Sequence, residues 1–192
     1  MQHESKLTTL ADIIADKRLF NIPIYQRLYV WGSDQIKVLL DDLVAACEAD
    51  KDVFYLGGTL VIEQGRTACG HPLLDLIDGQ QRFTTFSLLA NWLRHHAQGV
   101  VDMSWYRRLN LAFESRPIST HTFDSLWQGV KLHQLNGSSF NEGLVKGYEL
   151  IDRVLRDLKL TDERLQSFSN YLFDHVQISR IEVPKDTDLN HF

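Results

Sequence analysis

A short apolar run, a polar turn and an amphipathic stretch follow one another between Leu73 and Arg94. The apolar run at 73–77 is typical of a buried strand. The amphipathic stretch has the apolar spacing of one helical face, at Phe83, Phe86, Leu89, Ala90 and Leu93. Asp78-Gly79-Gln80-Gln81-Arg82 lies between them. The pattern therefore predicts a strand-to-helix junction that gathers polar side chains and backbone N–H groups at one point.

This junction has the chemistry of an anion site. The first N–H groups of a helix lack partners within the helix, and the helix dipole makes that end positive, which suits phosphate. Gly79 would let the backbone turn sharply, and Arg82 would add a guanidinium that matches phosphate oxygens. A structural alternative stays open, in which Asp78 caps the helix (~1 kcal/mol) and Arg82 is a surface charge. Two adjacent glutamines are unusual for a cap alone, and they favour function.

Composition sets the broad class. The 192 residues are 44% apolar and 23% charged, which is typical of a globular domain. A net charge of −5 argues against a broad basic DNA-binding surface, although a local basic groove is compatible with it. Cys47 and Cys69 show neither a disulfide framework nor metal-ligand spacing, and the scattered histidines indicate no zinc site. No apolar run approaches the ~20 residues that span a membrane, and we expect a cytoplasmic protein.

Periodicity and turn residues predict an α+β chain. The predicted helices cover residues 7–19, with Thr8 or Thr9 as cap, 34–50, with Ser33 or Asp34 as cap, 83–96, 122–135, 141–159 and 161–174. The predicted strands cover residues 20–25, 53–62 with a bulge or close backbone approach at Gly57-Gly58, 73–77 after a loop at 64–72, and 176–183.

These elements predict three parts. Residues 1–100 would form the α+β core, and residues 101–175, mainly helical, would form a subdomain packed on it. Residues 176–192 would hold a final strand that returns to the sheet. Since the pattern predicts that a helix begins where the sequence stops, we expect a truncated chain.

A second polar cluster, Tyr25-Gln26-Arg27, follows the extended segment. A strand that ends in Gln-Arg places an amide and a guanidinium at the edge of a sheet, with aromatic residues nearby. If the two strands are neighbours, Arg27 and Arg82 would face one concave polar site. The alternative is that Arg27 pairs with Asp41 or Asp42 and that the aromatic residues belong to the core or rim.

Three motifs in order carry a family resemblance. They are Ile22-Pro23-Ile24-Tyr25-Gln26-Arg27 with Tyr29 and Trp31, Phe54-Tyr55-Leu56-Gly57-Gly58, and Ile77-Asp78-Gly79-Gln80-Gln81-Arg82 followed by Thr84-Thr85 and Leu88-Leu89. Together they resemble the N-terminal domain of GmrSD-type restriction endonucleases. That family is similar to the ParB/sulfiredoxin superfamily, whose Gly-x-x-Arg phosphate-binding turn resembles Gly79–Arg82. The resemblance implies a small mixed sheet with flanking helices, plus a helical subdomain.

The resemblance also implies a function, namely a nucleotide-binding, NTP-hydrolysing module of a prokaryotic DNA-restriction or anti-phage system. Its partners would be a nucleoside triphosphate, DNA through the full-length protein, and a separate C-terminal HNH-type nuclease domain or subunit. The sequence shows no His-Asn-His constellation, so we expect no DNA cleavage by this chain alone. Family members continue into an Asn-Arg-Gly segment, whereas this sequence stops at Asn190-His191-Phe192.

Roles at the site are assigned as a hypothesis. The nucleotide- and phosphate-binding residues would be Tyr25, Arg27, Gly79, Arg82, Thr84 and Thr85. In the alternative interpretation, one of the two threonines is a first-turn helix residue without a ligand. Gln26, Gln80 or Gln81 would orient a water. Asp78 would hold Mg²⁺ or act as general base. Phosphoryl transfer needs mainly positioning and charge stabilisation, so this set is adequate.

The competing function is a non-catalytic module. In it, the polar clusters would serve as an effector-binding switch for a domain that binds DNA or a partner subunit. The helical subdomain carries arginines and aromatic residues suited to nucleic acid, at Arg107, Arg108, Arg116, Trp105, Tyr106 and Phe113. The same residues are equally compatible with a solvated face over core aromatics.

Overall fold

The computed structural model describes residues 5–9, 11–12, 19–23, 28–102, 111–113, 116–186 and 188. The strands within these residues are β1 (Ser5–Thr9), β2 (Leu19–Ile22), β3 (Phe54–Arg66), β4 (Pro72–Asp78), β5 (Leu111–Phe113) and β6 (Val176–Val183). The helices are α1 (Ser33–Glu48), α2 (Gln80–His96), α3 (Pro117–Trp127), α4 (Glu142–Asp157) and α5 (Asp162–Asp174), with a 3₁₀ turn at Leu132–Gln134. The predicted α+β class is confirmed.

The strands of the described residues form one mixed sheet in the order β1-β6-β3-β4-β2-β5. β3 and β4 are antiparallel neighbours, as the sequence predicts, although β3 runs to Arg66 and shortens the predicted loop. The last strand returns to the sheet as predicted, where β6 pairs parallel with β3 and antiparallel with β1. β2 lies parallel to β4 and to β5.

The glycine pair in β3 interrupts regular pairing. The register between β3 and β6 shifts between Tyr55 and Gly57, which confirms the predicted bulge. Gly57 has φ +132°, a conformation that disfavours any side chain. The bulge lies on the sheet beneath the first turn of α2, so it bears directly on the predicted site.

The helix α2 is the centre of the core rather than a surface helix. Its residues are buried almost all round from Gln81 to Leu93, because the sheet lies on one side and α4 packs on another. On α1 an apolar stripe is buried, at Ile36, Leu39, Leu40, Leu43 and Val44. One continuous apolar core includes residues from α1, α2, α3, α4 and α5. The predicted division at residues 100 and 175 stays a prediction.

The predicted helix at 7–19 is wrong at its start. Leu7–Thr9 belong to β1, because β6 supplies backbone partners and Ile178 O accepts a hydrogen bond from Thr8 Oγ1 at 3.2 Å. Residues 11–12 are helical. Thr9 Oγ1 accepts from the N–H of Asp12 at 3.2 Å, and an Asp12 carboxylate oxygen accepts from the N–H of Thr9, so the predicted Thr9 cap is confirmed. Residues 13–18 lie outside the described ranges.

Two further boundaries differ from prediction. The N-cap of α1 is Gly32, not Ser33 or Asp34, and Gln35 Oε1 accepts from the Gly32 N–H at 3.0 Å. The predicted helix at 122–135 begins earlier and ends earlier, as α3, because Pro117 occupies a position where its missing N–H costs nothing. β5 also adds a short strand to a stretch predicted as mainly helical.

Within the described ranges, none of the helices has the length and hydropathy needed to cross a lipid bilayer.

Candidate functional site

The predicted strand-to-helix junction is confirmed. β4 ends at Asp78, Gly79 is the N-cap of α2, and Gly79 adopts the left-handed conformation with φ +85°. The exposed Asp78 carboxylate accepts the Gly79 N–H at 2.8 Å through Oδ1. A Cβ on residue 79 would lie 2.7 Å from Gly58 O, so both conformation and space require glycine here.

Arg82 joins this junction to the glycine pair of β3. Its Nη2 donates to Gly58 O at 3.2 Å. Its guanidinium lies over Gly57, where a Cβ would come within 2.7 Å of Arg82 Cζ. The carbonyl group of Gly58 therefore lies against both Gly79 and Arg82. The second and third sequence motifs meet at this point, with the half-buried Arg82 side chain between them.

Gln81 makes a different connection. Its side chain is 6% exposed. Its Oε1 accepts from the N–H of Val30 at 2.9 Å, and its Nε2 donates to Leu28 O at 3.1 Å. The amide thus holds the backbone that directly follows the Tyr25-Gln26-Arg27 cluster, against the first turn of α2.

Tyr29 extends this connection into the core. Thr85 Oγ1 donates to Gln81 O at 2.8 Å, so the Tyr29 hydroxyl donates to Thr85 Oγ1 at 2.7 Å. Burial is the larger influence on the phenol and raises the pKa of Tyr29 to about 12, although the Thr85 contact lowers it. The ring packs on Gly147, where a Cβ would lie 2.6 Å from Tyr29 Cε1, and the Tyr29 carbonyl packs on Gly143. Gly143 and Gly147 of α4 thus leave the space that the backbone and the ring of Tyr29 occupy.

Gln80 and Thr84 line a narrow gap of about 10 Å³ that Gln81 and Tyr29 also line. Thr84 is 2% exposed, whereas Gln80 is partly exposed. The predicted polar cluster is therefore divided between the sheet side and the Tyr29 side, where this gap lies.

The other predicted site residues are placed as follows. Tyr25, Gln26 and Arg27 lie outside the described residues, so their convergence with Arg82 stays a prediction. Asp41, one suggested partner of Arg27, pairs with Lys37 along α1. Asp78 is the acidic residue at the junction, and the described residues contain no group of three or more His, Cys, Asp or Glu that could hold a metal.

One residue near the junction escaped the sequence analysis. Arg180 in β6 lies opposite Thr59 in the β3–β6 register and is 5% exposed. The Thr59 methyl carbon would lie 3.0 Å from a Cβ on Gly79. The period-two pattern of 176–183 predicts a half-buried strand, but Ile178, Ser179 and Arg180 are all buried. Arg180 takes the place of an apolar residue in the alternation that Val176 and Ile178 begin, and this was the signal that could have identified it.

Comparison with known proteins adds the family. The model of the GmrSD restriction endonuclease, N-terminal domain, matches residues 10–191. None of the curated proteins matches the chain.

Proposed function

The chain belongs to the family of GmrSD restriction endonuclease N-terminal domains, and is thus a module of a restriction-type anti-phage protein. On this premise we propose that it binds a nucleoside triphosphate at the first turn of α2 and hydrolyses it. The observation that carries the proposal is the meeting of Gly58, Gly79 and Arg82 at one carbonyl group. The close approach holds a guanidinium beside the N-terminal turn of α2, and guanidinium and helix N–H groups are both donors that suit an anion.

Phosphate binding is assigned to the backbone after Gly79 and to Arg82. The Gly79 N–H already donates to Asp78, so the N–H groups of the helical first turn are the donors aimed along the axis. Arg82 is anchored through one nitrogen on Gly58 O, and its planar fork suits a bidentate contact with phosphate oxygens. Thr84 is buried against the narrow gap and is therefore left out of the phosphate contacts.

Gln81 serves as a positioning residue. Its amide is occupied by the backbone of Leu28 and Val30, so it holds Leu28 one residue beyond Arg27. This anchoring supports the placement of Tyr25 and Arg27 beside the nucleotide. The hydroxyl of Thr85, likewise, serves Gln81 O and Tyr29.

Hydrolysis is assigned to polar side chains around the same turn. Gln80, partly exposed, and Gln26 would orient the attacking water. The exposed Asp78 would hold Mg²⁺, which proteins commonly bind through one or two carboxylates together with phosphate oxygens and waters. The ion, when bound, would neutralise charge on the phosphates. General-base action by Asp78 is the alternative role of this carboxylate.

The remaining assignments concern the whole protein. DNA contact and cleavage are assigned to the full-length protein with a separate HNH-type nuclease domain. Kinship with the ParB/sulfiredoxin superfamily rests on the likeness of Gly79–Arg82 to a Gly-x-x-Arg phosphate turn.

Isothermal titration with nucleoside triphosphates and Mg²⁺ tests the binding step. We expect Arg82→Ala to weaken binding by about tenfold or more, because a charge-assisted contact contributes about 1.5–3 kcal/mol. Its melting temperature should change little, since one long hydrogen bond to Gly58 is lost. The matched control is Arg66→Ala, which also removes an arginine bonded to a glycine carbonyl, that of Gly70 at 2.8 Å, and should bind as wild type does.

A released-phosphate assay separates the enzyme from the switch. Phosphate release that Arg82→Ala abolishes supports hydrolysis. Tight binding without release, with or without DNA, favours the effector-switch alternative. A wild-type protein that binds none of the nucleotides, or an Arg82→Ala variant that binds as tightly as wild type, would contradict the assigned site.

A further inference from the structure

A large groove opens beside the first turn of α2. Its volume is about 830 Å³, and it is lined by residues 28–32, by residues 116–119 at the start of α3, and by one face of α4 from Glu142 to Leu150. We call it the Trp31 groove after its largest lining residue. Ligand pockets in proteins typically measure about 300–1,000 Å³.

The walls of the Trp31 groove are held in place by buried contacts. Asn141 Nδ2 donates to Ser119 Oγ at 2.8 Å, and the Asn141 N–H donates to Thr122 Oγ1 at 2.7 Å. These bonds join the starts of α3 and α4. Tyr29, packed on Gly143 and Gly147, fixes the third wall. The groove is therefore a formed concave surface.

The lining chemistry is apolar with cations at the edge. Leu28, Val30 and Ile118 are 51%, 61% and 47% exposed, which is high for apolar side chains that share one concavity. Trp31 is partly buried and can offer a ring for stacking. Arg116, Lys146 and Glu142 also line the groove, and Lys146 pairs with Glu142 at 3.1 Å. The surface therefore suits a flat, partly apolar ring that is joined to an anionic group.

Leu28 connects the Trp31 groove with the phosphate site. Its side chain lines the groove, and its carbonyl oxygen lies 3.1 Å from Gln81 Nε2. Leu28, Tyr29, Arg116, Ser119 and Asn141 line both the groove and the narrow gap that reaches Gln80, Gln81 and Thr84. One layer of side chains separates the groove from the first turn of α2.

We propose that the Trp31 groove binds the nucleoside part of the nucleotide whose phosphates lie at the first turn of α2. The base stacks beside Trp31 over Ile118, and the phosphate chain crosses Leu28 toward Arg82. Arg116 lies where the two parts join. This inference rests on the proposed nucleotide function and adds the recognition of the ring.

Comparison of nucleoside triphosphates with inorganic tripolyphosphate tests the groove separately from the phosphate site. In calorimetry with the wild-type chain, at least one nucleoside triphosphate should bind tenfold or more tightly than tripolyphosphate. Ile118→Glu should remove this difference and leave tripolyphosphate affinity unchanged. A glutamate in the first turn of α3 suits the helix dipole, so the variant should fold.

Val38→Glu is the matched control, because Val38 is an apolar helix residue, 59% exposed, outside the groove. It should leave both affinities unchanged. As a second readout, nucleotide should quench tryptophan fluorescence in wild type and much less in Trp31→Phe. If nucleotide and tripolyphosphate bind with equal affinity and Arg82→Ala still abolishes binding, the groove does not bind the nucleoside, and the phosphate site remains supported. Absence of all binding would overturn both.

Discussion

The two sides of the first turn of α2 are built differently. On the sheet side, Gly57, Gly58 and Gly79 bring backbone close to Arg82, and the link between the motifs is one carbonyl group. On the opposite side, Gln81 and buried hydroxyl groups tie the helix to the segment before α1 and to α4. On the sheet side, glycines leave room for the Arg82 guanidinium, whereas on the Tyr29 side, side chains fill the space.

This difference separates binding from support. The hydrogen-bonding groups on the Tyr29 side have partners within the protein and are wholly or partly buried. On the sheet side, the exposed Asp78 and half-buried Arg82 keep polar groups near solvent. Gln80 and Gln81, identical and adjacent in sequence, consequently have different surroundings. The contrast predicts that substitutions of the buried Tyr29-side residues Gln81 and Thr85 change stability, and that substitutions on the sheet side change phosphate affinity.

The largest effect on stability is expected from Gln81→Leu. The change removes the hydrogen bonds to Leu28 O and the Val30 N–H, which are part-buried, and a buried group left unsatisfied costs about 1–3 kcal/mol. Because water can reach these two groups in part, the free energy of unfolding in urea should fall by about 1–3 kcal/mol for the pair. Gln80→Leu is the neighbouring control and should lose much less, because Gln80 is partly exposed. Equal losses in the two variants would contradict the distinction between the two glutamines.

A smaller effect is expected from Gly57→Ala, read against Gly65→Ala. Both glycines lie in β3 at positive φ, +132° and +146°, so both substitutions should cost ~1 kcal/mol or more of stability. Only at residue 57 would the new Cβ meet the Arg82 guanidinium, since nothing lies within 4 Å at residue 65. Calorimetry should show weaker nucleotide binding for Gly57→Ala alone. Equal nucleotide affinities in the two variants would contradict a place for Arg82 in the binding site.

Local pattern was sufficient for the junction. The run at 73–77, the polar turn and the helical spacing after it are all short-range signals, although α2 starts at Gln80, three residues before the predicted start. The Gly57-Gly58 bulge could also be predicted, because glycine within a strand often marks a bulge or a close approach of backbone. Glycine is needed at residue 57 because Arg82 lies against it, and Arg82 also bonds to Gly58, which is 24 positions away in the sequence.

Long-range partners explain the failures. The prediction of a helix at Leu7–Thr9 was wrong because these residues form a strand by pairing with β6. That partner is distant in the sequence, since Thr8 and Ile178 are 170 positions apart. The role of Gln81 depends on Val30, 51 positions away. Neither partner can be inferred from spacing alone. The all-round burial of α2 has the same origin, since α4 covers the side that the sequence pattern leaves polar.

Hydrogen–deuterium exchange with and without nucleoside triphosphate and Mg²⁺ tests the central claim most directly. The account predicts slower exchange in peptides that cover residues 54–60 and 78–84, and also in the peptide that covers residues 23–30, which Gln81 anchors. Protection confined to other parts of the chain, with unchanged exchange at 54–60 and 78–84, would contradict a phosphate site at the first turn of α2.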